Sequence, residues 1–373
     1  MANYRIHQMN RRLGETLDRL AWFGGSAPSG IAALDAERPA PLRFIRLEGY
    51  RRSLTVQEVF DRVRQSAALF LRRPAALLII SGEKGMEIWY GVPWDAAEPL
   101  FLAAALPDLR VSEQPLSPRS LSGRWQAGGV LSGDFHAEPG GLDQLLTLLE
   151  GQEFLIALFS APLAAPELEA ARAELDTEIA RYQEVDHVQY SFGSGFGIRS
   201  QDRYFPDAAL LLDQLRKKRD ALTKAGACCR ASLLYAAPDR ENASILGSML
   251  EGAFHPAEGE RAEAVALSFP VFDPANGGFS LPRSPGRPFF DRLAPVFPID
   301  ELGGSFCPPL HYHPGFTVLE PEEAGAIHPF DRYAGSPAGG PAIELGDTAA
   351  GFTYRLPVSA LARHTFVCGR TRY

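Results

Sequence analysis

Apolar positions along the chain recur with two periods, and each period predicts a different element. Near the start, Leu13, Leu17, Leu20 and Ala21 fall at helical spacing until Gly24-Gly25 ends the pattern. Pro28, Gly30, Pro39 and Pro41 then mark a loop. Thr55 can cap a second helix, in which Val56, Val59, Phe60, Val63, Ala67, Leu69 and Phe70 form the apolar positions. Leu77 to Ile80 is a continuous apolar run that reads as a buried strand. Ser81 to Gly85 is a turn of the hairpin kind, and Glu87 to Val92 is the returning strand. Asp95 to Leu106 reads as a further helix, closed by Pro107.

The middle of the chain repeats this grammar. Strands are predicted over 153–159, 228–236 and 264–269, and long helices over 163–182 and 206–224. Asp239 caps another helix that runs to about Phe254. From Phe269 to about Gly340 prolines and glycines interrupt every pattern, so an extended connector with short structured pieces is expected. Residues 342–346 and 352–356 then read as two strands around a turn, and Thr365 to Cys368 as a last strand.

Helices alternate with strands joined by hairpin turns, which predicts an α+β sandwich compatible with a pair of ferredoxin-like units. The expected divisions are an N-terminal α+β domain over 1–150, a second α+β unit over 151–270, the connector over 271–341, and the start of a further domain over 342–373. No repeat in the sequence is strong enough to establish an internal duplication.

Composition narrows the function. A net charge of −8 argues against a broad electrostatic grip on nucleic acid or anionic lipid, though not against a local basic patch. The four cysteines, Cys228, Cys229, Cys307 and Cys368, form no C-x-x-C pair, so a reducing cytoplasm is the expected setting. No apolar stretch approaches the roughly 18–20 residues of a membrane span. Residues 1–12 have no signal-peptide apolar core.

The C-terminal stretch carries the most specific chemistry. An apolar strand, Thr365 to Cys368, leads into Gly369-Arg370-Thr371, as a core strand enters a phosphate-binding G-x-x-x-x-G-K-[ST] loop. Upstream lie Ile343-Glu344-Leu345-Gly346, Tyr354-Arg355-Leu356, and Leu361-Ala362-Arg363-His364. In the order Leu361, Arg363, His364, Gly369, Thr371, this stretch resembles the entry to the motor domain of HerA/FtsK-type ATPases. Glu320 to Ala324 is similar to the segment that precedes the motor in conjugation and type IV secretion ATPases.

The resemblance covers about residues 316–371. It implies a P-loop ATPase fold, with ATP and Mg²⁺ as cofactors of the intact family. It also implies Gly369, Arg370 and Thr371 as the first nucleotide-binding residues, a hexameric homo-oligomer, and a DNA or secretion partner. The second loop glycine, the lysine and the Mg²⁺-binding hydroxyl do not follow before Tyr373. The expectation is therefore a truncated, non-catalytic assembly and partner-docking region. The alternative is a stand-alone α+β binding protein whose last strand ends in glycine by chance.

Other constellations fit structural roles better than chemical ones. Gly193 to Gly197 reads G-x-G-x-G with no helix after it, so a hairpin or lid fits better than a dinucleotide loop. His311 and His313 share one face of an extended segment and could bind metal with Cys307, Glu301 or His328; hydrogen-bonding wedges in a proline-rich loop are the simpler reading. Cys228-Cys229 should point to opposite faces of a strand as buried thiols. Glu167, Glu169, Glu174 and Glu178 read as solvated helix charge, and Trp89, Tyr90 and Trp94 as core aromatics. Arg51-Arg52, Arg72-Arg73 and Lys217-Lys218-Arg219 read as surface charge rather than phosphate contacts.

Overall fold

The computed structural model describes residues 42–52, 54–82, 85–93, 102, 106, 109–112, 124–194, 197–204, 206–254, 262–266, 272–273, 278–279, 293–319, 342–347 and 353–357. In chain order the first elements are β1 (Leu42–Arg51), α1 (Val56–Phe70), β2 (Ala75–Gly82), β3 (Gly85–Pro93), β4 (Arg110–Ser112), β5 (Ala127–Ser132), α2 (Gly141–Leu148) and β6 (Phe154–Pro162). Then come α3 (Ala165–Asp186), β7 (His187–Ser194), β8 (Gly197–Tyr204), α4 (Pro206–Lys224), β9 (Cys228–Ala237), α5 (Arg240–Ala253) and β10 (Glu263–Ala266). The last are β11 (Phe272–Asp273), β12 (Gly278–Phe279), β13 (Val296–Pro298), α6 (Ile299–Leu302), a 3₁₀ turn (Gly303–Phe306), β14 (Thr317–Leu319), β15 (Ala342–Asp347) and β16 (Thr353–Pro357).

The fold is α+β, and ten strands form one mostly antiparallel sheet. Its central path runs β10-β5-β9-β6-β2-β3-β1-β14, with β13 beside β9 and β4 beside β1. Two ferredoxin-like units are embedded in this order. In the first, β1-α1-β2-β3-β4 lie side by side as β4-β1-β3-β2. In the second, β5-α2-β6-β9-α5-β10 lie as β10-β5-β9-β6. Both follow the 4-1-3-2 arrangement of a βαββαβ unit. The units join where their second strands, β2 and β6, pair antiparallel from Ala75↔Ser160 to Ser81↔Phe154. Pairing equivalent strands in opposite directions relates the units by an approximate two-fold axis.

Helices pack on one face. Val59, Phe60, Val63 and Ala67 of α1, Leu142, Leu145 and Leu146 of α2, and Leu246 and Leu250 of α5 meet Leu77, Ile79, Ile156, Leu158 and Leu233 of the sheet in one core. The alternate residues Leu78, Ile80, Leu155, Ala157, Leu234 and Ala236 form a second buried cluster on the opposite face. Central strands buried on both faces read as unbroken apolar runs, which is why 77–80 was legible as a strand. Thr55 caps α1 with the reciprocal capping box expected of Thr followed three residues later by Glu: the Glu58 N–H donates to the Thr55 hydroxyl, and the Thr55 N–H donates to the Glu58 carboxylate. The carboxyl of Glu58 is held below its ordinary range by its bonds to Thr55.

The sequence pattern misses β1, β5 and α2. In β1 charged residues interrupt the alternation because Arg46, Glu48 and Arg51 sit on a partly exposed strand. Its Gly49 lets β14 come close: a Cβ there would lie 2.2 Å from the Thr317 carbonyl oxygen. In β5 a Cβ on Gly129 would lie 2.2 Å from the Val265 carbonyl oxygen and 2.5 Å from the Tyr235 hydroxyl, so glycine here marks close approach rather than a turn. The Gly140-Gly141 start of α2 looks like a loop because Gly140 takes the left-handed conformation at φ 77° before the helix.

Residues 293–319 lie within the expected connector, and they are a buried strap across the helical face. The strap adds β13 to β9 of the second unit and β14 to β1 of the first. Between these strands, Phe297, Ile299, Leu302, Phe306, Leu310 and Phe316 enter the main core. Among the described residues no helix is long and apolar enough to cross a membrane.

Candidate functional site

Two features stand out from the sheet: the arm between β6 and β9, and the node that fastens the strap. The arm consists of α3, β7, β8 and α4. Glu167 accepts a bond from the Ala164 N–H at the start of α3 (2.8 Å), and Pro206 occupies the first position of α4, where its missing N–H costs nothing. Ala171 and Leu175 of α3 pack against Leu212, Leu215 and Leu222 of α4, and the cluster continues into Cys228 and Val296. Charges reinforce this seam. Arg219 pairs with Asp176 (3.0 Å), and Arg172 donates to the Leu222 carbonyl (2.6 Å). Lys218 ties α4 to Asp134 before α2 (2.7 Å). Such partly exposed pairs contribute at most about 1 kcal/mol each, so they set the helix register more than they stabilise it. A 22-residue α3 is about 33 Å long, which carries the hairpin one helix length from the ends of β6 and β9.

At that far end β7 and β8, among the described residues, pair only with each other, from His187↔Tyr204 to Ser194↔Gly197. Gly193 and Ser194 therefore end one strand of a hairpin, and Gly197 opens the other, a strand rather than the helix that a phosphate loop requires.

The strap node lies between α1 and α2. Asp143 is buried, and its carboxylate accepts bonds from the N–H groups of Leu310 (2.9 Å) and His311 (2.8 Å), with His313 Nε2 at 3.2 Å. Tyr50 and Tyr90 donate their hydroxyls to the carbonyls of Pro309 (3.0 Å) and Phe306 (2.8 Å). Desolvation holds the Tyr90 hydroxyl well above its ordinary pKa, so it stays a donor. Gly303 and Gly304 lie directly on α1: a Cβ on either would be 2.6 Å from the Arg64 carbonyl oxygen or 2.5 Å from the Phe60 ring. The histidine pair singled out in the sequence is thus split between a ring contact and a backbone bond to one carboxylate. Among the described residues no three His, Cys, Asp or Glu side chains are grouped to hold a metal ion, and His328 lies outside them.

A small cavity beside the node is lined by Asp143, Ser305 and Cys307, among others. The Ser305 hydroxyl is buried there without a hydrogen-bond partner. Cys307 offers no nucleophile, because burial, and then the charge of Asp143, push its thiol well above the usual range.

The remaining sequence candidates fall into structural roles. Cys228 packs into the arm and Cys229 into the main core, on opposite sides of β9. Desolvation raises the Cys228 pKa to about 11 and that of Cys229 further. Tyr90 and Trp89 are core residues on opposite faces of β3; Trp94 lies outside the described residues. Glu169 pairs with Arg172 on the surface of α3, and Lys217 with Asp213 on α4. Arg51, Arg72 and Arg73 are exposed, and Arg52 is partly buried, its backbone N–H bonded to the Leu319 carbonyl. Gly369, Arg370 and Thr371 lie outside the described residues, whereas the two strands expected before them are present as the antiparallel hairpin β15-β16. No direct signal in the sequence marks Asp143: it stands on an element the pattern misses, and its partners are more than 160 residues away.

No protein-family model matches this chain, and no curated protein matches it significantly.

Proposed function

We propose that residues 1–373 form the assembly and partner-docking region of a HerA/FtsK-like, ATP-driven DNA or protein translocase. They do not hydrolyse ATP by themselves. The observation that carries the docking role is the arm. A connection that needs only a tight turn in the first unit extends in the second from 163 to 227 and carries at its far end a hairpin joined to no other strand among the described residues. An excursion of this kind adds nothing to the sheet, and rigid scaffolds present binding elements in this way. The motor assignment rests on the resemblance around Leu361, Arg363, His364, Gly369 and Thr371. Residues 1–373 contain no Gly-Lys-Ser/Thr to neutralise the β- and γ-phosphates.

The test is the mass in solution of the intact chain and of a variant in which 187–204 is replaced by a Gly-Ser turn. The intact chain is expected to assemble and the variant to dissociate. Calorimetry with Mg-ATP should show no binding tighter than about 100 μM, roughly −5.5 kcal/mol. A chain that stays monomeric, alone and when continued through a complete P-loop, leaves the stand-alone α+β binding protein as the reading.

A further inference from the structure

Backbone register in the arm's hairpin sorts its residues by face. Directly paired residues of an antiparallel ladder share a face, and successive residues along a strand change face. The pairs Val188↔Arg203, Tyr190↔Gln201 and Phe192↔Arg199 therefore place two aromatic residues and two arginines on one side of the ribbon. Between His187 and Tyr204 the sequence has a single carboxylate, Asp202, and its pairing with Gln189 puts it on the other side. One face thus carries two positive charges and no negative one, within a chain whose net charge is −8. That segregation selects an anionic ligand, and the aromatic pair selects one with flat apolar surfaces.

We infer that this face of the hairpin binds single-stranded nucleic acid. Residues four apart on a strand, as Arg199 and Arg203 are, lie about 13.6 Å apart, comparable to two phosphate steps of an extended single strand. Arg199 and Arg203 of β8, with Gln201 between them on the same face, can follow the backbone at every second phosphate, while Tyr190 and Phe192 on β7 offer stacking surfaces to unstacked bases. A duplex presents the same phosphates but buries its base faces, so the aromatic residues would add nothing there. An acidic protein would satisfy the arginines alone. The inference rests on the reading of the arm as the docking element, and it names the ligand class of that element.

The experiment is fluorescence anisotropy of the full chain with a labelled 20-nucleotide oligothymidylate and, separately, a blunt mixed-sequence duplex, each across a series of KCl concentrations. The single strand should bind more tightly than the duplex. Tyr190→Ala/Phe192→Ala should weaken single-strand binding about tenfold or more and leave the salt slope unchanged. Arg199→Ala/Arg203→Ala should also weaken it and lower the slope by about 1.4. Asp202→Asn and Gln189→Ala, on the other face, should not weaken binding. Circular dichroism confirms that each variant keeps its helices. Failure to bind either oligonucleotide, preference for the duplex, equal loss from the control face, or indifference to both double variants would each overturn the inference. The mass measurement above is independent of these results: a chain that assembles but binds no oligonucleotide refutes the nucleic-acid face only, and a monomer that binds refutes the assembly reading only.

Discussion

The two ferredoxin-like units share a strand order and differ in one connection. In the first, β2 turns directly into β3, with Gly82 paired to Gly85. In the second, the equivalent strands β6 and β9 are just as closely paired, from Leu155↔Ala236 to Pro162↔Cys229, yet two helices and a hairpin lie between them. The strand ends are adjacent in both units, so the sheet places no demand on what joins them. The entropy of closing a connection grows only slowly with its length, and a long insertion is tolerated where the ends already meet. On the proposed reading, the unit with the short turn is scaffold and the unit with the arm carries the binding. The strap completes the contrast, because it binds to both units and uses a different device on each. On the first it lays Gly303 and Gly304 against α1; on the second it offers backbone N–H groups to Asp143 of α2.

The largest effect should come from removing that carboxylate. Asp143→Ala leaves the buried Leu310 N–H, the partly buried His311 N–H and His313 without their acceptor, a loss of about 3 kcal/mol. Urea unfolding followed by tryptophan fluorescence measures it, and hydrogen exchange should show β13 and β14 losing protection together. A loss confined to the second unit would break the view of the strap as a shared clasp. Gly303→Ala probes the other end. Its methyl would meet the Arg64 carbonyl, which belongs to helix backbone and cannot swing aside, at a cost of about 2 kcal/mol. A stability equal to that of the unmodified chain would show that the strap is not seated on α1 as described.

Helix caps compare the units more evenly. Thr55 caps α1 of the first, and Asp239 accepts the Asn242 N–H (2.8 Å) at the start of α5 of the second. Thr55→Ala and Asp239→Ala should each cost about 1 kcal/mol in thermal or chemical denaturation. If the units fold as one cooperative block, each substitution lowers the same single transition; two separate transitions would show that they unfold independently.

The thiols carry an effect that is absent at neutral pH and emerges only at alkaline pH. Cys228, whose pKa rises from 9.0 to about 11, Cys229 and Cys307 all favour the neutral form in the fold because burial disfavours the thiolate. Groups with raised native pKa values stabilise the fold below the unfolded value and lose that contribution as pH climbs through the native one. Denaturation midpoints should therefore fall between pH 9 and pH 11. At pH 8 a Cys368→Ser chain should react with a thiol reagent only after unfolding. Fast reaction of the native protein would place one of these thiols at the surface.

Sequence alone determined the elements whose signals are local. A capping box opens α1, a continuous apolar run makes β2, and Asp239 starts α5. Each of these depends on residues a few positions apart, where side-chain spacing and backbone preference act directly. Tertiary structure alone decided that β2 and β6 meet, that the two units share a core, and that residues 293–319 cross it as a strap. Asp143 received its role in the same way, from backbone groups at positions 310 and 311. Strands β1 and β5 escaped the pattern because their charged and glycine residues make sense only beside particular neighbours: β14 at Gly49, and Tyr235 with Val265 at Gly129. Local chemistry is written in consecutive residues, whereas close approach between distant strands needs a missing side chain whose reason appears only when the partner is in place.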